Sequence, residues 1–516
     1  MKLLVHIFPV LLVCVIRASE QVTFTLDHKA EDPVKTDAFF IFNSVHHLLR
    51  QWGNTLSPNG FSFTRATIPI NTNLYHARGD ERIPQSPEWL AFDSEMSYGI
   101  MFGLCNVFMR TYRTTRSLNL IYIDGNSASL THTGTLDSQD ILQFGKVQPR
   151  EGRLIFDDRE RAEGLCAWGQ EFGVDGFVRM NVGFELLKCD FEDGLVLVNN
   201  LNVTRWESYL EKNKTVDPNV PCREHGPGQN LTQLEMMLFE HQRYHTPHPT
   251  PLYEYGPLFD SPDRLYVNFD WVRIAAAVYS GIGESRVVLD TGAFVTAYGR
   301  RGLRISSPNT TLHRLTNLTL SAGCEIQSEV ADLFRYDRKS SGINWRSVTD
   351  HIVLRYGDRL SELRAYLMRG DATSIQNARL LLSSALVAYF EFDRGTTTSL
   401  NSCMQAFTSP LDPSWPSSEA KILRAIEYVL HDICQTLLFV NDQFSGWPLP
   451  ANDTDTAVSI SRQRVDRLMA RLDWKLWIQC KEKCALGEVC VIDLWPIISW
   501  DLTAPPEPRC MGPLTW

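Results

Sequence analysis

The spacing of apolar residues changes along the chain. This change limits the folds that the chain can adopt more than any other feature of the sequence. In the first 205 residues, short apolar runs alternate with polar residues and end at Gly- and Asp-containing turns, as in 118–123 and 183–191. Such alternation is typical of strands. From 343 onward, apolar residues recur at steps of three and four, which is typical of amphipathic helices. We therefore expect an α+β protein, with a mixed α/β N-terminal domain and a mainly helical C-terminal region.

The predicted segments follow these changes in pattern and composition. Residues 206–263 are rich in Pro and His, which indicates a long surface connection with one helix at 232–242. Strand-like alternation returns from Leu265 to Trp271 and again at 287–289. The segments are 1–18 (signal peptide), 19–205 (α+β domain), 206–263 (linker), 264–340 (strand-containing segment) and 341–516 (helical domain with a Cys-rich end).

Three apolar stripes predict long helices in the C-terminal region, at 345–367, 422–437 and 465–476. A helix that is apolar along one side must bury that side against another helix or against a sheet. The longest later apolar run, 380–390, is too short for a membrane helix, which needs roughly 20 residues. We expect no membrane span in the mature chain.

The N-terminus is typical of a secretory signal peptide. A basic Lys2 precedes an apolar run from Leu3 to Ile16, and the small residue Ala18 marks a cleavage site. A buried N-terminal helix is the alternative. Export agrees with six Asn-x-Ser/Thr sequons, which predict N-glycosylation on exposed loops of a secreted protein. The six are Asn202, Asn213, Asn230, Asn309, Asn317 and Asn452.

Cysteine usage also indicates an oxidising compartment. The chain has 12 cysteines, and removal of Cys14 with the signal peptide would leave an odd number, so we expect at least one that is free or pairs between chains. Cys480, Cys484, Cys490 and Cys510 form the one dense group. Their spacing lacks the Cys-x-x-Cys pairs typical of structural zinc sites, so disulfides are expected there and zinc is the alternative.

The net charge argues against nucleic acid as the main partner. Fifty Lys and Arg against sixty Asp and Glu give −10 at pH 7. Binding to phosphates needs a basic surface, which this balance does not supply over the whole chain. The oligomeric state is left open.

One ordered set of residues in the N-terminal domain could carry chemistry. His76 lies at the end of a predicted strand, Trp89 and Tyr98 follow in an aromatic run that leads into a helix, and Glu185 enters a later strand. Aromatic rings stack on a pyridinium face, a His can bind a ribose hydroxyl, and a carboxylate can stabilise a cationic transition state. The set suits a flat, cationic aromatic ligand.

The segment 74–190 resembles the ADP-ribosyltransferase fold in its His–Tyr–Glu branch, which includes the poly(ADP-ribose) polymerases. The resemblance implies that His76 binds a ribose, that Trp89 and Tyr98 hold nicotinamide, and that Glu185 stabilises the oxocarbenium-like state. Ala77 stands where the family has Gly in the nicotinamide-binding strand, and Trp89 stands where it has Tyr. Glu185 could equally be a solvent-facing strand residue, with its neighbours in the core.

The function that this resemblance implies is ADP-ribosyl transfer or NAD hydrolysis, with NAD as substrate, no metal, and an unidentified acceptor. The competing hypothesis is a non-catalytic secreted or cell-surface glycoprotein that keeps the fold without the chemistry. The whole chain also resembles a family of uncharacterised secreted fungal proteins. Geometry distinguishes the catalytic from the non-catalytic hypothesis. NAD chemistry requires four side chains to line one cleft: His76, Trp89, Tyr98 and Glu185.

Two further motifs resemble a protease loop and a zinc site, but each lacks a group that the chemistry needs. Asp290-Thr291-Gly292 resembles an aspartic protease loop, but the dyad needs a second copy and the sequence has none, so a turn at the end of a strand is expected. His241 and His245 have the spacing of two zinc ligands on a helix, but Gln242 stands where a general-base Glu would be. A solvated helix end is expected there.

Overall fold

The computed structural model describes residues 33–100, 107–126, 135–148, 158–203, 269–300, 315, 317–335, 340–390, 395–409, 416–492, 494 and 507–512. The signal peptide, the linker 206–263, its helix and the His241/His245 pair fall outside these residues. So do the sequons at Asn213, Asn230 and Asn309.

A nine-stranded sheet forms the centre of the N-terminal region. Its strand order is β8-β4-β2-β3-β7-β6-β5-β1-β9, and a separate two-stranded sheet pairs β10 with β11. The paired strands are antiparallel except β5 and β6, which are parallel. The strands are β1 Ser62–Ile68, β2 Asn73–Arg78, β3 Glu88–Ala91, β4 Phe108–Thr114, β5 Leu118–Ile123, β6 Gly176–Met180, β7 Phe184–Lys188, β8 Leu195–Asn202, β9 Val288–Thr296, β10 Val489–Ile492 and β11 Pro508–Met511.

The sheet is curled, and the weakest join in it lies between β2 and β3. Among the described residues these two strands share a single paired position, Tyr75 with Ala91. By contrast, β2 pairs with β4 over six positions and β3 with β7 over four. The ladder between β4 and β8 continues one step past the strands: the Thr115 N–H after β4 donates to the Gly194 carbonyl before β8, 2.9 Å away.

Helices make up most of the C-terminal region and cover the sheet. The described α-helices are α1 Pro33–His46, α2 Gln51–Leu56, α3 Ser94–Ile100, α4 Asp137–Phe144, α5 Asp158–Gln170, α6 Leu320–Arg335, α7 Trp345–Arg369, α8 Ala372–Leu386, α9 Gly395–Met404, α10 Ser417–Gln443 and α11 Ala451–Leu472. α10 packs against α1, β9 and α11, so the helical region and the sheet share one hydrophobic core.

Local sequence explains where the central helix hairpin turns. The Asn344 side chain accepts a hydrogen bond from the Ser347 N–H and caps the start of α7. α7 ends at Gly370, whose φ of 68° is a left-handed conformation that glycine adopts without steric cost. Asp371 then caps α8 by accepting from the Ser374 N–H. The chain reverses direction within two residues, and α7 and α8 pack together.

The α+β class is confirmed, and α7 and α10 contain the helices expected at 345–367 and 422–437. The third expected helix, 465–476, is misplaced, because α11 is Ala451–Leu472 and Leu476 lies in a separate 3-10 turn. The strand expected from Leu265 to Trp271 is wrong over its described part: 265–268 lie outside the described residues, and 269–274 is helical and continues into a π-helix, Ala275–Tyr279. The 264–340 segment is not separate from the 19–205 region in the sheet, because β9 pairs with β1. Asp290-Thr291-Gly292 lies inside β9, where we expected a turn. The Thr291 hydroxyl there accepts the Trp345 N–H at 3.0 Å.

Disulfides tie together several of these elements, and no described cysteine is free. The four C-terminal cysteines pair with one another, which confirms the expected disulfides at that end. Cys324 is also disulfide-bonded. The pairs in which both cysteines are described are Cys166–Cys189, Cys403–Cys434, Cys480–Cys490 and Cys484–Cys510.

No helix among the described residues has both the length and the apolar character that crossing a membrane requires.

A buried carboxylate joins the start of α10 to the segment that leads into α7. Glu419 near the start of α10 is fully buried and accepts from the Trp345 indole N–H at 2.9 Å and the Ser341 backbone N–H at 2.9 Å. It also accepts from the Ser341 hydroxyl. The carboxylate therefore satisfies three donors of the segment that leads into α7.

We expect Glu419→Ala to lower the free energy of unfolding by about 2–4 kcal/mol, because buried donors are left without an acceptor. Urea denaturation followed by circular dichroism measures this change. Asp455→Ala, which removes an exposed carboxylate from α11, is the control and should change stability little. A loss at Glu419 no larger than that of the control would show that the carboxylate does not stabilise the packing of α10 against this segment.

Candidate functional site

The strand register decides which of the predicted site residues can meet. Tyr75 pairs with Ala91, and Ala91 pairs with Glu185, so these three side chains lie on one face of the sheet. His76 is the next residue after Tyr75 and therefore points to the opposite face. The expected cleft, with His76 and Glu185 on the same side, is not formed.

His76 is buried on its face of the sheet, with 7% of its surface exposed. Its Nδ1 donates to the Trp89 carbonyl at 2.8 Å, across the gap between β2 and β3. Burial lowers the pKa of His76 to about 3, although the hydrogen bond to Trp89 opposes the shift. The imidazole is therefore neutral near pH 7, with its proton on Nδ1 and a lone pair on Nε2. Nε2 is buried and has no hydrogen-bond partner.

Glu185 belongs to a buried ionic network on the other face. It accepts from Arg179 Nε at 2.7 Å, and both groups are nearly inaccessible to solvent. Arg179 also makes a bidentate pair with Asp158 of α5, at 2.9 and 2.8 Å. Burial raises the pKa of Glu185 although Arg179 opposes this, and the two carboxylates raise the pKa of Arg179 against the effect of burial. The network fixes β6 and β7 to α5.

The two predicted aromatic residues pack against different groups. Trp89 is on the face of Glu185, with the Arg179 guanidinium carbon 5.9 Å from its ring centroid. A cation of the chain itself thus occupies a stacking position that a pyridinium would need. Tyr98 packs with Ala77 and Val107 in a small apolar cluster of its own. Ala77 is buried there, with 2% of its surface exposed.

Arg110 is a buried charged residue that the sequence did not single out. It lies directly opposite His76 in the β2–β4 register and is 2% exposed. Its Nη2 donates to the Asp80 carbonyl at 2.9 Å, and its Nη1 is buried without a partner. Burial lowers the pKa of Arg110. The sequence contains a signal for this burial. Phe108, Arg110 and Tyr112 are every second residue of one strand, so they share a face and the Arg lies between two aromatic residues.

A second buried polar centre lies at the carboxyl end of β5, next to the parallel pair β5–β6. Asp124 Oδ1 accepts from the backbone N–H groups of Gly60 at 3.1 Å and Ser62 at 2.8 Å. Asp124 is fully buried, and its Oδ2 has no partner. Burial raises the pKa of Asp124 to about 7, although the two backbone donors oppose the shift. In parallel sheets this end of the strands is where ligands bind.

The raised pKa of Asp124 predicts a pH dependence of stability. The folded carboxyl keeps its proton up to about pH 7, whereas an unfolded Asp loses it near pH 4. Between these values the folded state binds more protons, so stability falls as pH rises. Asn at this position keeps the Oδ1 acceptor and does not titrate. We expect Asp124→Asn to gain roughly 2–3 kcal/mol relative to wild type between pH 5 and pH 8.

Urea denaturation of both proteins across this pH range measures the difference, and other titrating groups cancel because both chains contain them. A gap between wild type and variant that stays constant with pH would mean that Asp124 titrates normally.

The chain is similar to a protein family and to two proteins of yeast. A model of the family described as the YPL277C N-terminal domain matches residues 32–107 and 105–337. Two proteins of Saccharomyces cerevisiae (strain ATCC 204508 / S288c) are similar. "Uncharacterized protein YOR389W" is 25% identical over 541 residues, covering 90% of this chain and 82% of its own. "Uncharacterized protein YPL277C" is 27% identical over 383 residues, covering 63% and 74%.

No solved structure matches this chain. The expected similarity to uncharacterised fungal proteins is confirmed, since both relatives are yeast proteins whose descriptions give no activity. The family model covers more than half of the 516 residues, and this protein therefore belongs to the YPL277C N-terminal domain family.

Proposed function

We propose that this chain is an exported, N-glycosylated protein of the cell surface or extracellular space, and that it acts without the His–Tyr–Glu cleavage of NAD. ADP-ribosyl transfer and NAD hydrolysis are the activities that the resemblance to ADP-ribosyltransferases implies. They stay predictions, and assays for them test the proposal. The chemistry requires a His that binds NAD and a Glu that stabilises the cation to face one pocket.

The observation that carries the proposal is the register through Tyr75, Ala91 and Glu185, which puts His76 on the far face of the sheet. The two side chains are also engaged elsewhere. His76 Nδ1 is bound to the Trp89 carbonyl, and Glu185 is bound to Arg179 inside the ionic network. Freeing Glu185 for a ribose would leave a buried guanidinium short of a partner, at a cost of several kcal/mol.

Export is supported by several features that are independent of the site. The N-terminus is typical of a signal peptide. Four disulfides with both partners described agree with an oxidising compartment. The sequon residues Asn202, Asn317 and Asn452 are exposed, as glycosylation requires.

The NAD test compares purified wild type with Glu185→Gln, and with Glu192→Gln as a matched control at an exposed position. We expect no nicotinamide release above background from any of the three, and no rise in melting temperature with millimolar NAD. Release by wild type and Glu192→Gln that is lost in Glu185→Gln would overturn the proposal and restore the transferase assignment. Should Glu185→Gln fail to fold, release by wild type alone decides against the proposal.

Glycosylation has its own test in protein secreted from a fungal host. We expect endoglycosidase treatment to lower the apparent mass, and Asn452→Gln to remove about one glycan's share of that shift. Asn377→Gln, an exposed Asn of α8 outside any sequon, should leave the shift unchanged. An unchanged mass after treatment, or protein retained inside the cell, would contradict export through the secretory pathway.

A further inference from the structure

β8 forms one end of the nine-stranded sheet and is exposed along almost its whole length. Among the described strands, β4 is its one neighbour in the sheet. Every residue from Val196 to Asn202 is exposed, although the strand is rich in Val and Leu. Four apolar side chains of β8 are 39–52% exposed: Val196, Leu197, Val198 and Leu201. The outer edge therefore presents backbone donors and acceptors beside apolar side chains.

The other end of the sheet is protected in a way that is usual for edge strands. β9 packs against α6, α7 and α10, and six of its nine residues are buried. β8 has no comparable cover, since seven of its eight residues are exposed. Proteins that leave an edge strand open usually place Lys, Pro or another charged residue on it. β8 contains no Pro and no charged residue between Leu195 and Asn202.

The sequence of β8 favours pairing with strands of other molecules. Exposed segments that are rich in Val and Leu and that lack charge and Pro add to one another through backbone hydrogen bonds. β8 does carry a bulge at Val198, because Leu197 and Asn199 pair with consecutive residues of β4. A bulge weakens pairing at its own position. The residues from Asn199 to Asn202 still pair with β4 without interruption, so half of the edge remains a regular template.

The same strand carries a glycosylation sequon. Asn202, the last residue of β8, is exposed and is followed by Val203 and Thr204. Among the described sequon residues, Asn202 is the one that lies on a strand, whereas Asn452 lies on α11. A glycan is bulky and hydrophilic. Attached at Asn202, it starts next to Leu201, and Leu197 lies roughly 17 Å away along the strand. A branched N-glycan extends over several sugars and can cover this length.

We propose that the N-glycan on Asn202 covers the edge of β8 and prevents β8 from pairing with β8 of a second copy of this chain. The inference rests on the proposed N-glycosylation and deepens it, because it assigns a role to one glycan. Pairing of two strands requires their backbones to approach to about 4.8 Å. A hydrated glycan at the end of the strand keeps a second copy beyond that distance, and sugar hydroxyls have no tendency to extend the sheet.

Light scattering after size-exclusion chromatography tests the proposal on the full mature chain secreted from a fungal host. We expect Asn202→Gln to have at least twice the particle mass of wild type at the same concentration. Thr204→Ala removes the same sequon without changing a residue of β8 and should give the same result. Asn452→Gln, the matched control, should keep the wild-type mass. A wild-type mass for both Asn202→Gln and Thr204→Ala would overturn the proposal.

A second substitution shows whether β8 is the surface that associates. Val198→Lys places a charge on the exposed edge, so adding it to Asn202→Gln should restore the wild-type mass. Val387→Lys is its control, because Val387 is 60% exposed but lies just after α8, far from β8 in sequence. Added to Asn202→Gln, Val387→Lys should leave the larger mass unchanged. Equal effects of the two Lys substitutions would remove β8 from the interface and refute the proposal.

Glycan occupancy is measured on the same samples by mass spectrometry of the glycopeptides, and it separates this proposal from the one on which it rests. Glycan at Asn452 but none at Asn202 would overturn the role of Asn202 and leave the proposed glycosylation intact. No glycan at any sequon would overturn both. Should the sequon variants fail to fold, endoglycosidase treatment of folded wild type decides. Treatment should at least double the particle mass of wild type but leave that of Val198→Lys unchanged.

Discussion

The pairing across β2, β3 and β7 is the constraint on which the rest of the N-terminal region depends. Side chains alternate between the two faces of a strand, so one shift of register would exchange the two faces of β2. The single pair between Tyr75 and Ala91 sets that register. It places His76 on the face that also carries Arg110, and it leaves Glu185 on the face where Arg179 links it to Asp158 of α5. Two separate polar centres result where the spacing of the motif predicted one.

The two arginines of these centres show opposite ways to bury a guanidinium. Arg179 is surrounded by acceptors, with Asp158 bound at both oxygens and Glu185 at its Nε. The attraction in a low-dielectric interior offsets the loss of hydration, and breaking such a pair costs about 3–5 kcal/mol. Arg179 therefore behaves as a structural link between the sheet and α5. Arg110 is as deeply buried but donates to only one carbonyl, that of Asp80, and its neighbour Arg78 has the same charge.

Much of the fold could be predicted from local periodicity, because burial of a helix or strand face repeats along the segment itself. α7 and α10 each carry a stripe long enough to define them, whereas the stripe found for α11 begins 14 residues after Ala451, where the helix starts. β5 and β7 are short apolar runs that end at turns and are buried almost throughout. The helical turn at 269–274 was missed because Phe269 and Trp271 read as alternation. The buried set also includes Val272, Ala275 and Tyr279, whose spacing of three to four residues is that of a helix.

The candidate site was predicted less well, for a physical reason. Which face a strand residue occupies depends on pairing with strands far away in sequence, and no local pattern contains that information. β9, which pairs with β1 over 220 residues away in the chain, illustrates the same limit. The disulfides of the C-terminal cysteine group were easier to predict, because cysteines close together in sequence have few possible partners.

A buried group without a partner is more informative about function than a matched motif in a chain like this one. A motif records which residue types occur in which order, and the same order is compatible with either face of a sheet. An orphaned guanidinium records an energetic deficit that some other group must make good, and its geometry restricts what that group can be. Arg110 lies in an apolar alternation where Met or Leu would pack without any such deficit. The Asp80 carbonyl, to which Arg110 Nη2 donates, offsets only part of that deficit.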